Sequence, residues 1–470
     1  MKKNSLFFAF FILSNLLVSS SFAQGYHIEV NVASLKDTSC IMGHFNYNDK
    51  QFIAKDTAKV DNNGKMVFAG ETALPGGLYI VVLPGQRHLI QFIYSGNENK
   101  FTLSTDTLDI IASMKVEGSV ENGIFYDYQK QIREISLKIQ SIEEQKKALG
   151  ADKAALSEEA TRLTMDYNDR RDQLIEANKD LFVAKLMKAT VVKQLAELPK
   201  KADGQPDHDA GFIYYKNHFW DNFDLSDARM LRTPFFQPKV ETYIKNLTVQ
   251  TQDSVTKAAD ALIAKATNKE IKEYLIYYIT NEYETPKTVG TEGVFVHMAE
   301  KYYLNGNMPV SEDGKRRISE RVAVLKPLLV NKVFPALSLS DPLNKPIHVN
   351  QIQADYTVLF FYSPTCGHCK EAAPKLKEAY LAHKDKGVKI LAVAIDQKDD
   401  WGKYIKEQNT SELMNGYDNT NQIDFRNKFD VISTPMVYVL DKGKRIIARR
   451  MPVEQLSDFL NFTINKNKKP

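Results

Sequence analysis

The chain has 470 residues, 43% of them hydrophobic and 26% charged, with a formal net charge of only +4. That balance argues against nucleic acid or an anionic membrane surface as the main partner, and the length suggests about three domains. Three cysteines in so long a chain exclude a disulfide-stapled scaffold, so apolar cores must hold the fold together.

The first residues read as a targeting segment. Lys2 and Lys3 form a basic start, Leu6–Val18 is an apolar run, and Ser21 and Ala23 supply small residues before Gln24. This order predicts a signal peptide over 1–23, cleaved before Gln24, and an exported protein of the periplasm or cell envelope. The run is too short, and too polar at its end, to serve as a span. No later segment approaches the ~20 apolar residues that one needs, so no membrane span is expected after cleavage. No cysteine follows the cleavage point, which argues against a lipid anchor.

Residues 24–118 read as strands. Tyr26, Ile28, Val30 and Val32 alternate onto one face, and turn signals recur at short intervals. Asn62, Asn63 and Gly64 between two alternating runs are a hairpin signal. The expectation is an all-β sandwich or barrel with antiparallel strands. Cys40 falls in one of these strands and is read as a small core residue rather than a third redox thiol.

Residues 119–330 read as a helical domain. Tyr128, Ile132, Ile135, Ile139 and Ile142 recur at spacings of three and four, ending near Gly150, and a second long helical pattern follows. Together they suggest an antiparallel helical hairpin with solvated charges. The aromatic stretch Phe212–Phe236, with Tyr214, Tyr215, Phe219, Trp220 and Phe223, is read as a core joint rather than a ligand surface. His218 within it is read as structural.

Residues 331–470 change character to α/β. A strand–turn–strand opening turns at Asp341, Pro342 and Asn344. Tyr356–Tyr362 is a continuous apolar run, as in a strand buried on both faces. A helix is expected from about Cys369 to His383, then a second buried strand over Gly387–Asp396, giving a βαβ unit. Another helix, a hairpin turning at Asp441–Lys444 and a closing helix complete the pattern.

Cys366 and Cys369, separated by Gly367 and His368, sit between that first buried strand and the helix after it. Zinc would need two further ligands at short spacing, and haem attachment would need histidine where Lys370 stands. A strand that delivers the first cysteine to a helix N-terminus, with the second one turn later, suits thiol–disulfide exchange. The N-terminus carries partial positive charge and unpaired N–H groups, which stabilise a thiolate on Cys366, the attacking species. His368 adds positive charge or a hydrogen bond, which should make the pair more oxidising. Far downstream, Pro435 after Thr434 opens a strand; on the residues alone it is either a cis proline or an ordinary trans loop proline.

The stretch from Thr357 through the cysteine pair to Leu376, together with Phe429–Ile447, resembles the thioredoxin superfamily. The entry Ser363–Cys366, the Ile432–Pro435 segment and Asp441–Ala448 resemble its TlpA/ResA-like branch of envelope thiol–disulfide oxidoreductases. The β and helical regions resemble Bacteroidetes N-terminal domains of unknown function. The resemblance implies that Cys366 attacks, that Cys369 resolves through a redox-active disulfide with it, and that Pro435 is a cis-proline facing the pair. It implies protein thiols and disulfides of the envelope and an electron donor as partners, with no cofactor, metal or nucleic acid. The chain departs from the family's patterns. Thr365 and His368 replace the Trp and Pro of thioredoxin, Phe360 stands where its buried acid would be, and Ala372 stands where ResA-like proteins carry an acid, leaving Glu371 one place off. A binding or assembly protein that uses this fold as a scaffold is the alternative reading. A peroxidase is disfavoured because "PTCGHC" lacks the arginine that such chemistry uses.

Overall fold

The computed structural model describes residues 25–466 apart from 46–51, 87, 149, 151, 194, 196 and 397. The predicted signal peptide therefore lies outside the described residues. Two compact units are present, one ending at Pro238 and one beginning at Lys239, so the helical stretch is divided between them. No described helix is long and apolar enough to cross a membrane.

The first unit opens with eight strands: β1 (Tyr26–Val32), β2 (Thr38–Phe45), β3 (Phe52–Val60), β4 (Lys65–Gly70), β5 (Gly77–Val82), β6 (Leu89–Tyr94), β7 (Lys100–Thr105) and β8 (Lys115–Glu117). They form two four-stranded sheets, ordered β4-β1-β7-β8 and β3-β2-β5-β6. Alternating residues from both sheets, among them Ile28, Val30, Met42, Phe68, Tyr79 and Phe92, share one core, as in a sandwich. Cys40 is fully buried in that core. The sandwich is not wholly antiparallel, since β1 and β7 pair in parallel.

The expected hairpin at Asn62–Gly64 is a tight turn without hairpin pairing. Gly64 has φ +85° and its N–H reaches the Asp61 carbonyl, but β3 pairs with β2 while β4 pairs with β1. Val60 before the turn and Met66 after it both face the core, so the turn carries the chain from one sheet to the other.

Helices follow: α1 (Ile110–Ser113), α2 (Val120–Gln145), α3 (Lys153–Ala177), α4 (Phe182–Ala189), α5 (His208–His218) and α6 (Phe236–Glu241). Tyr128 and Ile142 of the predicted stripe are buried, Ile132, Ile135 and Ile139 are partly so, and Tyr128 Oη meets Tyr167 Oη of α3 at 2.5 Å. The start of α2 covers the edge of β6. Buried Asn122 accepts from the Ile93 N–H at 2.7 Å and donates to the Ile93 carbonyl at 2.8 Å, so its amide stands in for a neighbouring strand. Phe219, Trp220 and Phe223 are buried with rings packed edge to face, as a core joint requires. His218 Nδ1 is 2.7 Å from Asp221.

The second unit begins with α7 (Gln252–Lys265), α8 (Lys269–Glu284), α9 (Glu292–Met298) and α10 (Glu312–Leu325). Next come β9 (Ser338–Ser340), β10 (Pro346–His348), β11 (Tyr356–Tyr362), α11 (Gly367–His383), β12 (Val388–Ala394), α12 (Lys398–Glu407), β13 (Met414–Tyr417), α13 (Phe425–Phe429), β14 (Met436–Leu440), β15 (Ile446–Arg449) and α14 (Val453–Lys466). One seven-stranded sheet has the order β10-β9-β13-β12-β11-β14-β15. β11 lies inside it, parallel to β12 and antiparallel to β14, with all seven residues buried. Val358, Phe360 and Tyr362 face one core with α11 and α14; Leu359 and Phe361 face another with Phe425 and Phe429 of α13. That two-sided burial is why β11 reads as an unbroken apolar run. The expected hairpins at Asp341–Asn344 and Asp441–Lys444 are present, each closed by an aspartate N–H bonded to the carbonyl four residues on. Sequence periodicity did not announce β13 and α13, which are too short to show it.

Candidate active site

β11 ends at Tyr362 and the chain turns through Ser363–Thr365, with the Cys366 N–H bonded to the Ser363 carbonyl at 3.1 Å. Cys366 then takes extended backbone angles (φ −72°, ψ 119°) as the N-cap of α11. The helix therefore starts at Gly367, two residues before the expected Cys369. The reason is local: the Cys366 sulfur accepts the Cys369 N–H at 3.2 Å and the Cys366 carbonyl accepts the Lys370 N–H at 3.2 Å, the pattern of a capping residue. Beyond its own helix turn, a Cβ added to Gly367 would meet no atom within 4 Å, so this residue faces open space.

The two cysteines differ in exposure and in charge preference. Both are free thiols with sulfurs 2.6 Å apart; Cys366 is half-buried and Cys369 fully buried. Burial pushes the Cys366 thiol up. Hydrogen bonds from the Cys369 thiol, the Thr434 side chain and the N–H groups of Cys369 and His368 outweigh it and hold Cys366 below the ordinary cysteine value. Cys369 goes the other way, raised first by burial and then by its bond to Cys366. This is an unequal pair: one sulfur reachable and inclined to ionise, the other enclosed and inclined to keep its proton.

The expected help from His368 is present as a hydrogen bond, from its backbone N–H to the Cys366 sulfur, while its imidazole turns to Glu371. Its side chain is 86% exposed and Nδ1 lies 3.3 Å from Glu371 Oε2, one turn along the helix. In the first turn of a helix the side chain leans outward while the N–H points at the cap, so His368 acts through its backbone. Glu371 is exposed, and Phe360 and Ala372 are buried and apolar, so none of these three places a carboxylate behind Cys369. Tyr404 of α12 is there instead. Its hydroxyl donates to the Cys369 carbonyl at 3.0 Å and its ring stacks on Tyr362 at 4.3 Å.

Thr434 and Pro435 immediately precede β14, the strand paired with β11. Their peptide bond is cis. The Cys366 thiol donates to the Thr434 carbonyl at 3.5 Å. The fold thus brings Cys366, Gly367, His368, Cys369, Thr434 and Pro435 to one place, although 65 or more residues separate the two groups in the chain. Beside them lies a cleft of about 460 Å³, lined by His368, Lys375, Ile432, Pro435, Met451 and, from the segment after α8, Thr285.

Residues 353–446 match the family described as thioredoxin-like. This C-terminal domain is thioredoxin-like. Residues 26–125 and 151–327 match two domains of unknown function, DUF4369 and DUF5106. The chain is 25% identical over 134 residues to the thiol-disulfide oxidoreductases ResA of Bacillus thuringiensis and Bacillus cereus, covering 28% of this chain and 76% of each relative. Among solved structures, a domain of a possible thiol-disulfide isomerase from Cytophaga hutchinsonii is 38% identical, covering 31% of this chain and 99% of that chain, with a TM-score of 0.29. A thioredoxin-like protein from Bacteroides caccae is 19% identical, covering 58% and 99% of the two chains, with a TM-score of 0.47.

Several groups around the thioredoxin-like site carried no local signal in the sequence. Tyr404 lies 35 residues beyond Cys369, and Thr285 lies 81 residues before Cys366. No spacing rule links either to the motif, and the nearest pointer was the aromatic content of α12.

Proposed function

We propose that this protein is a thiol–disulfide oxidoreductase of the cell envelope, acting through Cys366 and Cys369 on the disulfides of other proteins. The observation that carries this reading is the asymmetry of the pair: Cys366 is reachable and held below the ordinary thiol value, while Cys369 sits 2.6 Å away and is fully buried. The similarity to the ResA oxidoreductases supports it. The signal-peptide reading of 1–23 supports export.

In this reaction the Cys366 thiolate attacks a substrate disulfide. A bond forms between Cys366 and one substrate sulfur, and the other substrate sulfur leaves as a thiolate. Cys369 then loses its proton and attacks Cys366. The intramolecular disulfide forms, the mixed disulfide breaks, and the released substrate thiolate takes up a proton. Two electrons have passed from the dithiol to the substrate, and a dithiol donor restores the pair. Every bond that favours the Cys366 thiolate also favours the dithiol form, which biases the pair towards accepting electrons.

The test is reduction of insulin by the full chain with a dithiol donor. Cys366→Ser should abolish turnover, and Cys369→Ser should accumulate a mixed disulfide that reductant releases. Unchanged turnover in the Cys366 variant would refute the assignment.

A further inference from the structure

The cleft beside the cysteine pair does not end at Pro435. A second cavity, of about 660 Å³, shares Met451 with it and is lined by Val289, Ile447, Phe459 and Phe462. One wall runs from Thr285 in the first cavity to Lys287–Val289 in the second. The other runs along α14, from Glu454 in the first to Phe462 in the second. The two cavities therefore form one groove, which leads away from the redox site between the helical segment and α14.

Its apolar lining has a local cause on each side. Val453, Leu456, Leu460 and Ile464 of α14 recur at three and four residues and are buried in the core, as one face of an amphipathic helix should be. Phe459 and Phe462 lie off that stripe: Phe459 is only partly buried, and Phe462 is 67% exposed. In β15, Leu440 pairs with Ile446 and Val439 with Ala448, which leaves Ile447 as the extra residue of a β-bulge on the edge strand of the sheet. At the redox end, Ile432 is half exposed and lines the first cavity with Pro435. Apolar side chains left open to water in a row beside a reactive site mark a binding surface.

We propose that this groove binds the polypeptide flanking the disulfide under attack, and that it selects substrates with large apolar side chains three or four residues from the cysteine. This deepens the oxidoreductase reading and rests on it. The occupant follows from the chemistry at the head of the groove. A protein disulfide brought to Cys366 carries its own chain with it, and a chain leaving along this path passes Met451 and then Phe459 and Phe462. From Glu454 to Phe462 the helix rises about 12 Å, which an extended chain covers in about four residues. Lys287, Gln455 and Asp458 line the second cavity too, with polar groups that an extended backbone can bond. Their charges are of both signs, so apolar contact and not net charge does the selecting. The wall at 285–289 belongs to the 151–327 segment of unknown function, which gives that segment a share in the substrate site.

The experiment compares two disulfide-linked peptide homodimers, identical but for leucine or serine at the third and fourth positions on both sides of the cysteine. Reduced full chain is mixed with each, and the second-order rate of peptide reduction is followed by acid quench and chromatography. Each turnover oxidises the Cys366–Cys369 pair and leaves two peptide thiols. The readout is the ratio of the two rates. The leucine peptide should react roughly tenfold faster, the scale of one large apolar side chain taken partly out of water. Phe462→Ser should bring the ratio close to one, and Phe462→Leu should keep most of it. A weakened thiolate would slow both peptides alike and leave the ratio where it was. Leu343→Ser, at another exposed apolar residue in the β9–β10 turn, should keep the wild-type ratio. A ratio near one in the wild-type chain, or a ratio kept in Phe462→Ser, would overturn the proposal while the oxidoreductase reading stood, since both peptides would still be reduced. Reduction of neither peptide would overturn both. A wild-type dimer in sedimentation that Phe462→Ser dissolves would assign the surface to a second copy of the chain and overturn the proposal as well.

Discussion

Replacing Asp430 with Asn is the most searching perturbation of the second unit. It removes the buried carboxylate that the guanidiniums of Arg321, Arg449 and Arg450 share and leaves Arg449, fully buried, with Glu292 at 3.5 Å as its remaining counter-charge. Removing one partner of a buried ion pair costs about 3–5 kcal/mol. Glu292 offsets part of that, so a loss of about 3 kcal/mol is expected. In a unit of roughly 200 residues each kcal/mol moves the melting temperature by about 2–4 °C, which gives a drop of about 6–12 °C. The pH dependence follows from the same geometry. Burial raises the Asp430 carboxyl, but the bond from Arg321 and the charges of Arg449, Arg321 and Arg450 outweigh it and hold the group below the usual range. A carboxyl depressed in the folded state stabilises above its unfolded value of about 3.9 and loses that contribution as pH falls through the folded value. The gap between wild type and Asp430→Asn should therefore stay constant from pH 8 to pH 5 and close only in stronger acid. Thermal unfolding of the full chain, followed by circular dichroism across that range, makes the measurement. A drop of less than about 3 °C, equivalent to about 1 kcal/mol, would show that the cluster is solvated and not a buried hub.

Two further outcomes follow from the contacts described. In native, reduced protein near neutral pH, iodoacetamide should modify Cys366 well before Cys369 and leave Cys40 untouched, as peptide mapping by mass would read; equal rates at Cys366 and Cys369 would contradict the unequal pair. Asn122→Ala strips both bonding partners from the Ile93 backbone at a buried sheet edge and should cost about 2–3 kcal/mol in urea unfolding, while Cys366 alkylation keeps its rate.

How much could be read along the chain depended on how local its cause was. The all-β, helical and α/β character of successive stretches is carried by periodicities of two and 3.6 residues, and the burial of β11 by seven consecutive apolar side chains. The thiol pair was equally legible, because a strand, a cap and one helical turn fit within a few residues and force Cys366 and Cys369 together. Other features depend on which distant segments meet. The turn at Asn62–Gly64 is locally a hairpin turn, yet its flanking strands found partners in opposite sheets. His368 reads as a charge or a hydrogen bond beside a thiolate; the bond comes from its backbone N–H, while at its place on the helix surface the side chain turned to Glu371. Tyr404 behind Cys369 and Thr285 in the cleft come from positions with no fixed spacing to the motif. Covalent neighbours decide backbone period and capping over a few residues; the company a sulfur keeps is decided by packing, which reaches across the chain without regard to sequence distance.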